Sequence, residues 1–187
     1  MNQVYSIAYK ILFWILIITN TNCTNNVLDT NHWEQYQFVT PEGKSLESSF
    51  WKSKKSVIYF GFSHCPDMCP LALTNFGKAS MILGDKSGQF QFVFITLDPN
   101  RDSPELLNKY TKQFPGKNLI ALSPSNQTLI QLKEDLGVIG RKVGDGKNYL
   151  MDHSNIIYVI DETGKSIANF PGGISANTLA TKLRGFL

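Results

Sequence analysis

The residues best suited to chemistry are two cysteines, Cys65 and Cys69, in the segment Cys-Pro-Asp-Met-Cys-Pro. If a helix begins here, residues four apart lie on one of its faces, so both sulfurs can point to the same spot. The N-terminal end of a helix also stabilises a thiolate through its free N–H groups and its dipole. A thiol–disulfide oxidoreductase motif normally has two residues between its cysteines. The three residues found here still permit a disulfide and also leave room for a metal ion between the sulfurs.

The donor types narrow the choice of metal. Two thiolates favour Cu(I), zinc or iron–sulfur chemistry, but the usual cluster needs four cysteines and the chain has only 3. His153, just before an apolar run at 156–160, is the strongest candidate for a third ligand. Two sulfurs and one imidazole suit Cu(I), or Cu(II) with a fourth oxygen ligand, and zinc with a bound water also fits. His64 and His32 compete for the third position, and the residues alone leave that choice open.

The elements that must position these residues follow from the apolar pattern. Continuous apolar runs predict buried strands, whereas helical spacing and capping residues predict the helices between them. The strands are predicted at 56–62, 90–97 and 156–160, with shorter extended pieces at 118–122, 138–143 and 166–170. The helices are predicted at 71–83, 103–114, 125–136 and 175–183, and a hairpin turn is predicted at Asp145-Gly146.

An N-terminal β-hairpin completes the predicted fold. Short extended pieces at 36–40 and 44–46 flank the turn signal Pro41-Glu42-Gly43. The whole order is a hairpin, then βαβαβα, then two antiparallel strands and a closing helix. This order predicts an α/β protein with the thioredoxin-like arrangement, in which helices flank both faces of a mixed central sheet.

The N-terminus differs in kind from the rest of the chain. An unbroken apolar run at 11–18 precedes a polar stretch, so residues 1–22 are predicted to be a signal peptide or an N-terminal membrane anchor. Residues 23–32, rich in asparagine and threonine, are predicted to be a flexible linker to a single domain at 33–187. Cys23 is either a lipidation site or a spare thiol in this linker. In each case the domain is delivered to an oxidising compartment, where cysteine pairs can form disulfides.

The composition argues against one class of partner. The chain has 187 residues, of which 42% are apolar, enough for one domain with a hydrophobic core. Its net charge of +3 is spread along the sequence without long basic runs. Nucleic acid is therefore not an expected partner.

Three longer motifs occur in the order and at the distances of one protein family. They are Gly-Phe-Ser-His-Cys-Pro-Asp-Met-Cys-Pro at 61–70, Thr-Leu-Asp-Pro-Asn-Arg-Asp-Ser-Pro at 96–104 and Tyr-Leu-Met-Asp-His-Ser at 149–154. With these motifs the chain, from about Tyr36 to its C-terminus, resembles the Sco (SenC) family of copper-binding proteins. It departs from the family at Asn100, where Glu or Lys is frequent, and this departure lies outside the three ligand positions.

The resemblance implies a copper site and its ligands. Copper, as Cu(I) or Cu(II), is expected on Cys65, Cys69 and His153, and Cys65 and Cys69 are expected to form a redox disulfide. Asp98 and Asp102 match the acidic loop of the family and are expected as accessory residues. Asp98 either helps to hold copper or a partner, or only stabilises the loop through Asx turns.

The resemblance also implies a function, for which one alternative stays open. The expected role is a copper chaperone, not an enzyme with turnover, that assists assembly of the dinuclear copper centre in cytochrome c oxidase subunit II. The alternative is a thiol–disulfide oxidoreductase that reduces partner cysteines without carrying metal. Expected partners are subunit II, other copper chaperones or thiol–disulfide proteins, and a membrane through the N-terminus. The expected location is an inner membrane facing the periplasm, or an intermembrane space, with release into the periplasm if the N-terminus is cleaved.

Overall fold

The computed structural model describes residues 32–47, 49–116, 119–146 and 148–187. The predicted signal or anchor segment at 1–22 and the predicted linker as far as residue 31, with Cys23, lie outside these ranges. None of the helices within the ranges combines the length and the apolar character that crossing a membrane requires.

The described residues form the predicted strands and helices in the predicted order, together with a short helix at Ser49–Ser53 that the sequence pattern does not predict. The strands are β1 (Phe38–Val39), β2 (Lys55–Gly61), β3 (Phe90–Thr96), β4 (Leu119–Pro124), β5 (Gly140–Val143), β6 (Leu150–His153), β7 (Ile156–Ile160) and β8 (Ser166–Pro171). The α-helices are α1 (Ser49–Ser53), α2 (Met68–Leu83), α3 (Pro104–Thr111), α4 (Asn126–Leu136) and α5 (Ala176–Arg184). Two 3-10 helices are His32–Gln35 and Gly84–Gln89.

Six strands form a mixed central sheet in the order β1-β4-β3-β2-β7-β8. Strands β2, β3 and β4 are parallel to one another, whereas β7 runs antiparallel to β2 and β8 antiparallel to β7. Within the described residues, strands β5 and β6 pair only with each other and form a separate two-stranded hairpin. The predicted mixed sheet is confirmed, and its central strands are the ones with continuous apolar runs.

The sheet separates two hydrophobic clusters because side chains alternate between its faces. On β2, Val57 and Tyr59 belong to one cluster, and Ile58 and Phe60 belong to the other. Helices α2, α3 and α5 cover the first face, with Phe76, Leu107 and Leu179 among their buried residues. Helices α1 and α4 cover the second face, to which Trp51, Leu129 and Leu132 contribute. The prediction of helices on both faces is confirmed.

The boundaries differ from the predictions in places where a short-range signal is weak. Helix α2 begins at Met68 rather than at 71, because Pro70 is tolerated in the first turn, where its missing N–H has no helical partner. Helix α1 has five residues, too few to show a helical repeat in the sequence. The N-terminal hairpin is present, but its second arm is the single bridge Val39↔Ser45. Its first arm, β1, also pairs with β4 and so extends the main sheet.

The topology brings the three sequence motifs to one edge of the sheet. Strands β2 and β3 are parallel neighbours in the register Gly61↔Thr96, so the loops that follow them begin side by side. Strand β7 is antiparallel to β2, and Ile157 pairs with Tyr59, so β7 starts at the edge where β2 ends. Residue His153, just before β7, is therefore carried to the loop that follows β2.

Candidate metal centre

Cys65, Cys69 and His153 converge at this edge of the sheet. One sulfur from each cysteine and one imidazole nitrogen all lie within 4.8 Å of one another. The Cys69 Sγ to His153 Nε2 distance is 3.5 Å. Cys69 is buried, whereas Cys65 and His153 are partly exposed. Among the described residues no other group of three or more His, Cys, Asp or Glu side chains meets in this way.

Gly61 and the start of α2 set the position of Cys69. A methyl group on Gly61 would come within 2.7 Å of Cys69 Sγ, so a side chain at residue 61 would displace the sulfur. Cys69 is the second residue of α2 and is 0% exposed. The Cys65 N–H donates to the carbonyl of Phe62 at 3.2 Å, which closes the turn between β2 and the helix. The two sulfurs are thus placed by the sheet edge and by the first turn of a helix.

Asp102 holds the loop that leads to Cys65. Its carboxylate is 0% exposed and accepts hydrogen bonds from the Ser63 N–H at 3.0 Å and from the Ser63 hydroxyl at 2.5 Å. It also accepts from the Thr96 hydroxyl at 2.6 Å. Asp102 therefore ties the cysteine loop to the end of β3. Its carboxylate is not part of the Cys-Cys-His group.

Asp98 connects the loop after β3 to the β5–β6 hairpin. It is 4% exposed and accepts from Arg101 Nε at 2.5 Å and from the Tyr149 hydroxyl at 2.7 Å. The Arg101 guanidinium also lies 3.5 Å from the centroid of the Tyr149 ring and donates to the Tyr149 carbonyl at 2.9 Å. Tyr149 directly precedes β6, the strand that ends at His153. Asp98 thus helps to attach the hairpin that carries the imidazole. Its carboxylate, like that of Asp102, is outside the Cys-Cys-His group.

The ring of His153 is oriented with Nε2 towards the sulfurs. Its Nδ1 lies 3.0 Å from the carbonyl oxygen of Ser154. Because a carbonyl can only accept, Nδ1 carries a proton and donates to it, and Nε2 is the ring nitrogen that faces the cysteines. Such a backbone partner is typical of histidines that bind metals. The rings of Tyr59 and Phe62 pack edge-on against the imidazole, at centroid distances of 6.4 and 5.8 Å.

The two thiols have opposite pKa shifts. The pKa of Cys65 is lowered to about 3, mainly because the Cys69 thiol donates a hydrogen bond to it. Partial burial opposes the shift, whereas a hydrogen bond from His153 and the backbone N–H groups of Asp67 and Cys69 also lower this pKa. The pKa of Cys69 is raised, first because its proton is held in the bond to Cys65 and second because it is buried. The metal-free pair of thiols therefore shares one proton at neutral pH, which Cys69 holds. Cys65 is the thiolate and so the sulfur that can act as a nucleophile or bind a metal.

The other two histidines have different positions. His64 is half exposed, and its Nδ1 lies 3.0 Å from the Ser63 hydroxyl oxygen and 3.6 Å from Asp102 Oδ1. It is outside the Cys-Cys-His group. The side chain of His32 lies outside the part of the chain that the structure describes.

Sequence reasoning overlooked residues that support the centre without belonging to it. Ser63 and Tyr149 lie inside the motifs at 61–70 and 149–154, so the motifs themselves held a signal for them. Tyr59, whose hydroxyl lies 3.9 Å from Cys69 Sγ, is part of a continuous apolar run. The run predicts only a core position for Tyr59, because nothing in the local sequence distinguishes its hydroxyl.

Comparison with known proteins identifies the family. The family model described as SCO1/SenC matches residues 26–187. A SCO2-like protein of Rickettsia typhi is 34% identical over 154 residues, which cover 81% of this chain and 75% of that protein. The fold and the site define an α/β protein with a Cys-Cys-His group that could hold a metal ion. The chain belongs to the SCO1/SenC family.

Solved structures of similar proteins agree with this assignment. ScoI of Bradyrhizobium japonicum with copper bound has a TM-score of 0.73 at 28% identity, over 81% of this chain and 97% of that one. Yeast Sco1 with copper bound has a TM-score of 0.71 at 30% identity, over 80% of this chain and 84% of that one. The thioredoxin-like arrangement of Sco proteins is therefore confirmed for this chain.

Proposed function

We propose that this protein is a copper carrier that binds one copper ion through Cys65, Cys69 and His153. The observation that carries the proposal is the meeting of two sulfurs and one imidazole nitrogen within 4.8 Å of one another. Two soft thiolates and one imidazole suit copper, and Cu(I) in particular accepts such a three-ligand set. The copper-bound structures of similar proteins support the same choice of metal.

The site has the properties that a carrier needs. Cys65 and His153 are partly exposed, so an incoming ligand from another protein can reach the metal while Cys69 still holds it. Release then proceeds by exchange of one ligand at a time. Thiolates must also be deprotonated and reduced to bind, so copper loading is coupled to proton release and to the disulfide state of Cys65 and Cys69. The protein acts as a carrier, not as an enzyme with turnover.

The resemblance to the Sco family extends the proposal to a cellular role. In this role the protein assists assembly of the dinuclear copper centre of cytochrome c oxidase subunit II. Its partners are subunit II and other copper chaperones or thiol–disulfide proteins. The segment at 1–22 tethers the domain to a membrane, so that the copper site faces the periplasm or an intermembrane space.

A thiol–disulfide oxidoreductase is the second candidate, and the cysteine pair itself favours it. A pKa of about 3 makes Cys65 a thiolate at neutral pH, as in an attacking cysteine. Cys69 lies beside it, protonated and buried, as a resolving cysteine does. In that function His153 serves only to stabilise the thiolate, and a metal is unnecessary.

Copper stoichiometry of the reduced protein separates the two functions. We expect one copper per chain in the unmodified protein, none in the Cys65→Ser, Cys69→Ser double variant and weaker retention in His153→Ala. His64→Ala is the matched control, because this histidine adjoins Cys65 but lies outside the group, and it should retain copper as the unmodified protein does. No copper in the unmodified protein, together with rapid exchange with a model disulfide, would favour the oxidoreductase.

A further inference from the structure

Tyr59 is a buried tyrosine that touches the proposed copper site, and no motif accounts for it. It lies on β2, is 0% exposed and belongs to the cluster that contains Cys69. Its hydroxyl donates to Asn155 Oδ1 at 3.0 Å and also faces Cys69 Sγ at 3.9 Å. A hydroxyl has one proton, so these two acceptors compete for the same donor.

The backbone around Tyr59 is shaped to keep this arrangement. A methyl group on Gly172 would lie 1.8 Å from Asn155 Oδ1, and one on Gly61 would lie 2.7 Å from Cys69 Sγ. Both methyl groups would also crowd the Tyr59 ring, at 3.1 and 3.3 Å. The Gly172 N–H further holds the Asn155 carbonyl at 2.9 Å. Two glycines thus leave room for the amide, the phenol and the sulfur to meet.

We propose that Tyr59 is a positioning residue for the copper site, which donates a hydrogen bond to the Cys69 sulfur while Asn155 competes for that proton. This inference rests on the proposed function for its copper readout. A hydrogen bond to a coordinating sulfur withdraws electron density from the metal–sulfur bond, and it is one means by which proteins tune copper centres. Tyr59 therefore makes Cys69 a weaker donor, and Asn155 sets how strongly it does so.

The competition predicts opposite effects for two substitutions. Tyr59→Phe removes the proton, so the Cys69 thiolate becomes a better donor to copper. Asn155→Ala removes the competing acceptor, so the hydroxyl is left to the sulfur alone and Cys69 becomes a poorer donor. A purely structural role for Tyr59 and Asn155 would loosen the site in both variants and shift both in the same direction.

The first readout is the sulfur-to-copper charge-transfer absorption of the Cu(II)-loaded full chain. We expect a shift to longer wavelength in Tyr59→Phe and to shorter wavelength in Asn155→Ala, with one copper per chain in each. Tyr158→Phe is the matched control, because Tyr158 is also a buried tyrosine but belongs to the cluster on the other face of the sheet. Its band should not move. Shifts in the same direction, or none in either variant, would overturn the proposal.

The second readout needs no copper and so separates this inference from the proposed function. It is the equilibrium of the Cys65–Cys69 disulfide with dithiothreitol, in which the protein disulfide is reduced as dithiothreitol is oxidised to its own disulfide. The hydrogen bond favours the reduced sulfur, because a thiolate or thiol accepts more strongly than a disulfide. Tyr59→Phe should therefore make the protein harder to reduce, and Asn155→Ala should make it easier. If the unmodified chain binds no copper, the proposed function fails and this equilibrium alone decides the role of Tyr59. An equilibrium constant that moves in the same direction in both variants, or in neither, would overturn that role.

Discussion

The cysteine half and the histidine half of the centre have unlike surroundings. Cys69 follows β2, a strand with six of its seven residues buried, and lies at 0% exposure in the first hydrophobic cluster. His153 ends a two-stranded hairpin whose other strand, β5, has three of four residues exposed. On the outer face of this hairpin, Val143 and Leu150 form an exposed cross-strand pair. One half is part of the core, whereas the other is attached to it.

A few polar contacts attach the hairpin. Lys133 Nζ donates to the Gly140 carbonyl at 2.6 Å, and the Tyr149 hydroxyl donates to Asp98 at 2.7 Å. Met151 is the hairpin residue that packs on both hydrophobic clusters. Segments with few buried apolar contacts open at a lower free energy than the core does. For the proposed copper carrier, this difference predicts that the sulfurs stay in place and that the imidazole is the first ligand to be released.

The largest expected effect concerns the reactivity of Cys65. Because its pKa is about 3, its alkylation by iodoacetamide in the reduced, metal-free protein should hardly change between roughly pH 5 and 8. For a cysteine with an ordinary pKa of about 8.5, the alkylation rate would rise about 1,000-fold from pH 5 to pH 8. The urea-unfolded protein should show this rise. A steep rise in the folded protein would show that the cysteine half is not preorganised.

The lowered pKa of Cys65 also makes the stability of the folded protein depend on pH. The folded pKa of Cys65 lies below the unfolded value, so its thiolate stabilises the folded protein fully above the unfolded pKa of about 8.5. That contribution is lost as the pH falls towards about 3.

In Cys69→Ala the donor that contributes most to the pKa shift of Cys65 is gone, so the alkylation rate of Cys65 should again depend on pH.

The next effect is the loss of Asp102, which supports the cysteine loop. Asp102→Ala leaves the Ser63 N–H, the Ser63 hydroxyl and the Thr96 hydroxyl without their acceptor. We expect the free energy of unfolding, measured with urea, to fall by about 2–4 kcal/mol. Asp85→Ala, at an exposed position, should change it by less than about 0.5 kcal/mol. Equal effects of the two substitutions would refute the supporting role of Asp102.

A smaller effect is expected where the hairpin is attached. Tyr149→Phe removes the hydrogen bond to Asp98 but keeps the ring beneath Arg101. The free energy of unfolding should fall by about 1 kcal/mol. Amide hydrogen exchange should become faster in β5 and β6 and stay unchanged in α2. Faster exchange in α2 to the same extent would mean that the two halves are not independent.

The smallest effect belongs to the exposed ion pair on the hairpin. Arg141 and Asp152 are 3.1 Å apart, with side chains 75% and 56% exposed. Solvent screens such a pair, so Arg141→Ala should lower the free energy of unfolding by no more than about 0.5 kcal/mol. Copper stoichiometry should be unchanged. A loss well above 1 kcal/mol would show that surface charge, not the Asp98 contact, attaches the hairpin.

Much of the fold could be predicted because its central strands are buried on both faces. The run at 156–160 coincides with β7, because five consecutive β-branched or aromatic residues favour a short strand buried on both faces. The proposed ligand set could not be predicted from the local pattern alone. Cys65 and Cys69 share a short motif, but His153 comes from 84 residues beyond Cys69 and could be assigned only through a family resemblance.

The supporting contacts could not be predicted, for a related reason. Asp98 and Tyr149 are 51 residues apart, and Tyr59 and Asn155 are 96 residues apart. Each pair depends on the folding of several elements to one sheet edge, which no spacing along the chain encodes. Asp102 lies inside a family motif, but its hydrogen bonds to the cysteine loop and to β3 are visible only in the folded chain, and its accessory role stays a prediction.

The most direct test of two separate halves is X-ray absorption spectroscopy of the copper-loaded protein and of its His153→Ala variant. We predict two sulfur neighbours and one imidazole nitrogen around copper in the unmodified protein. In the variant the imidazole scattering should vanish while both sulfurs remain, because the core holds them without the hairpin. Imidazole scattering that persists in the variant, or a sulfur lost together with the imidazole, would contradict this account.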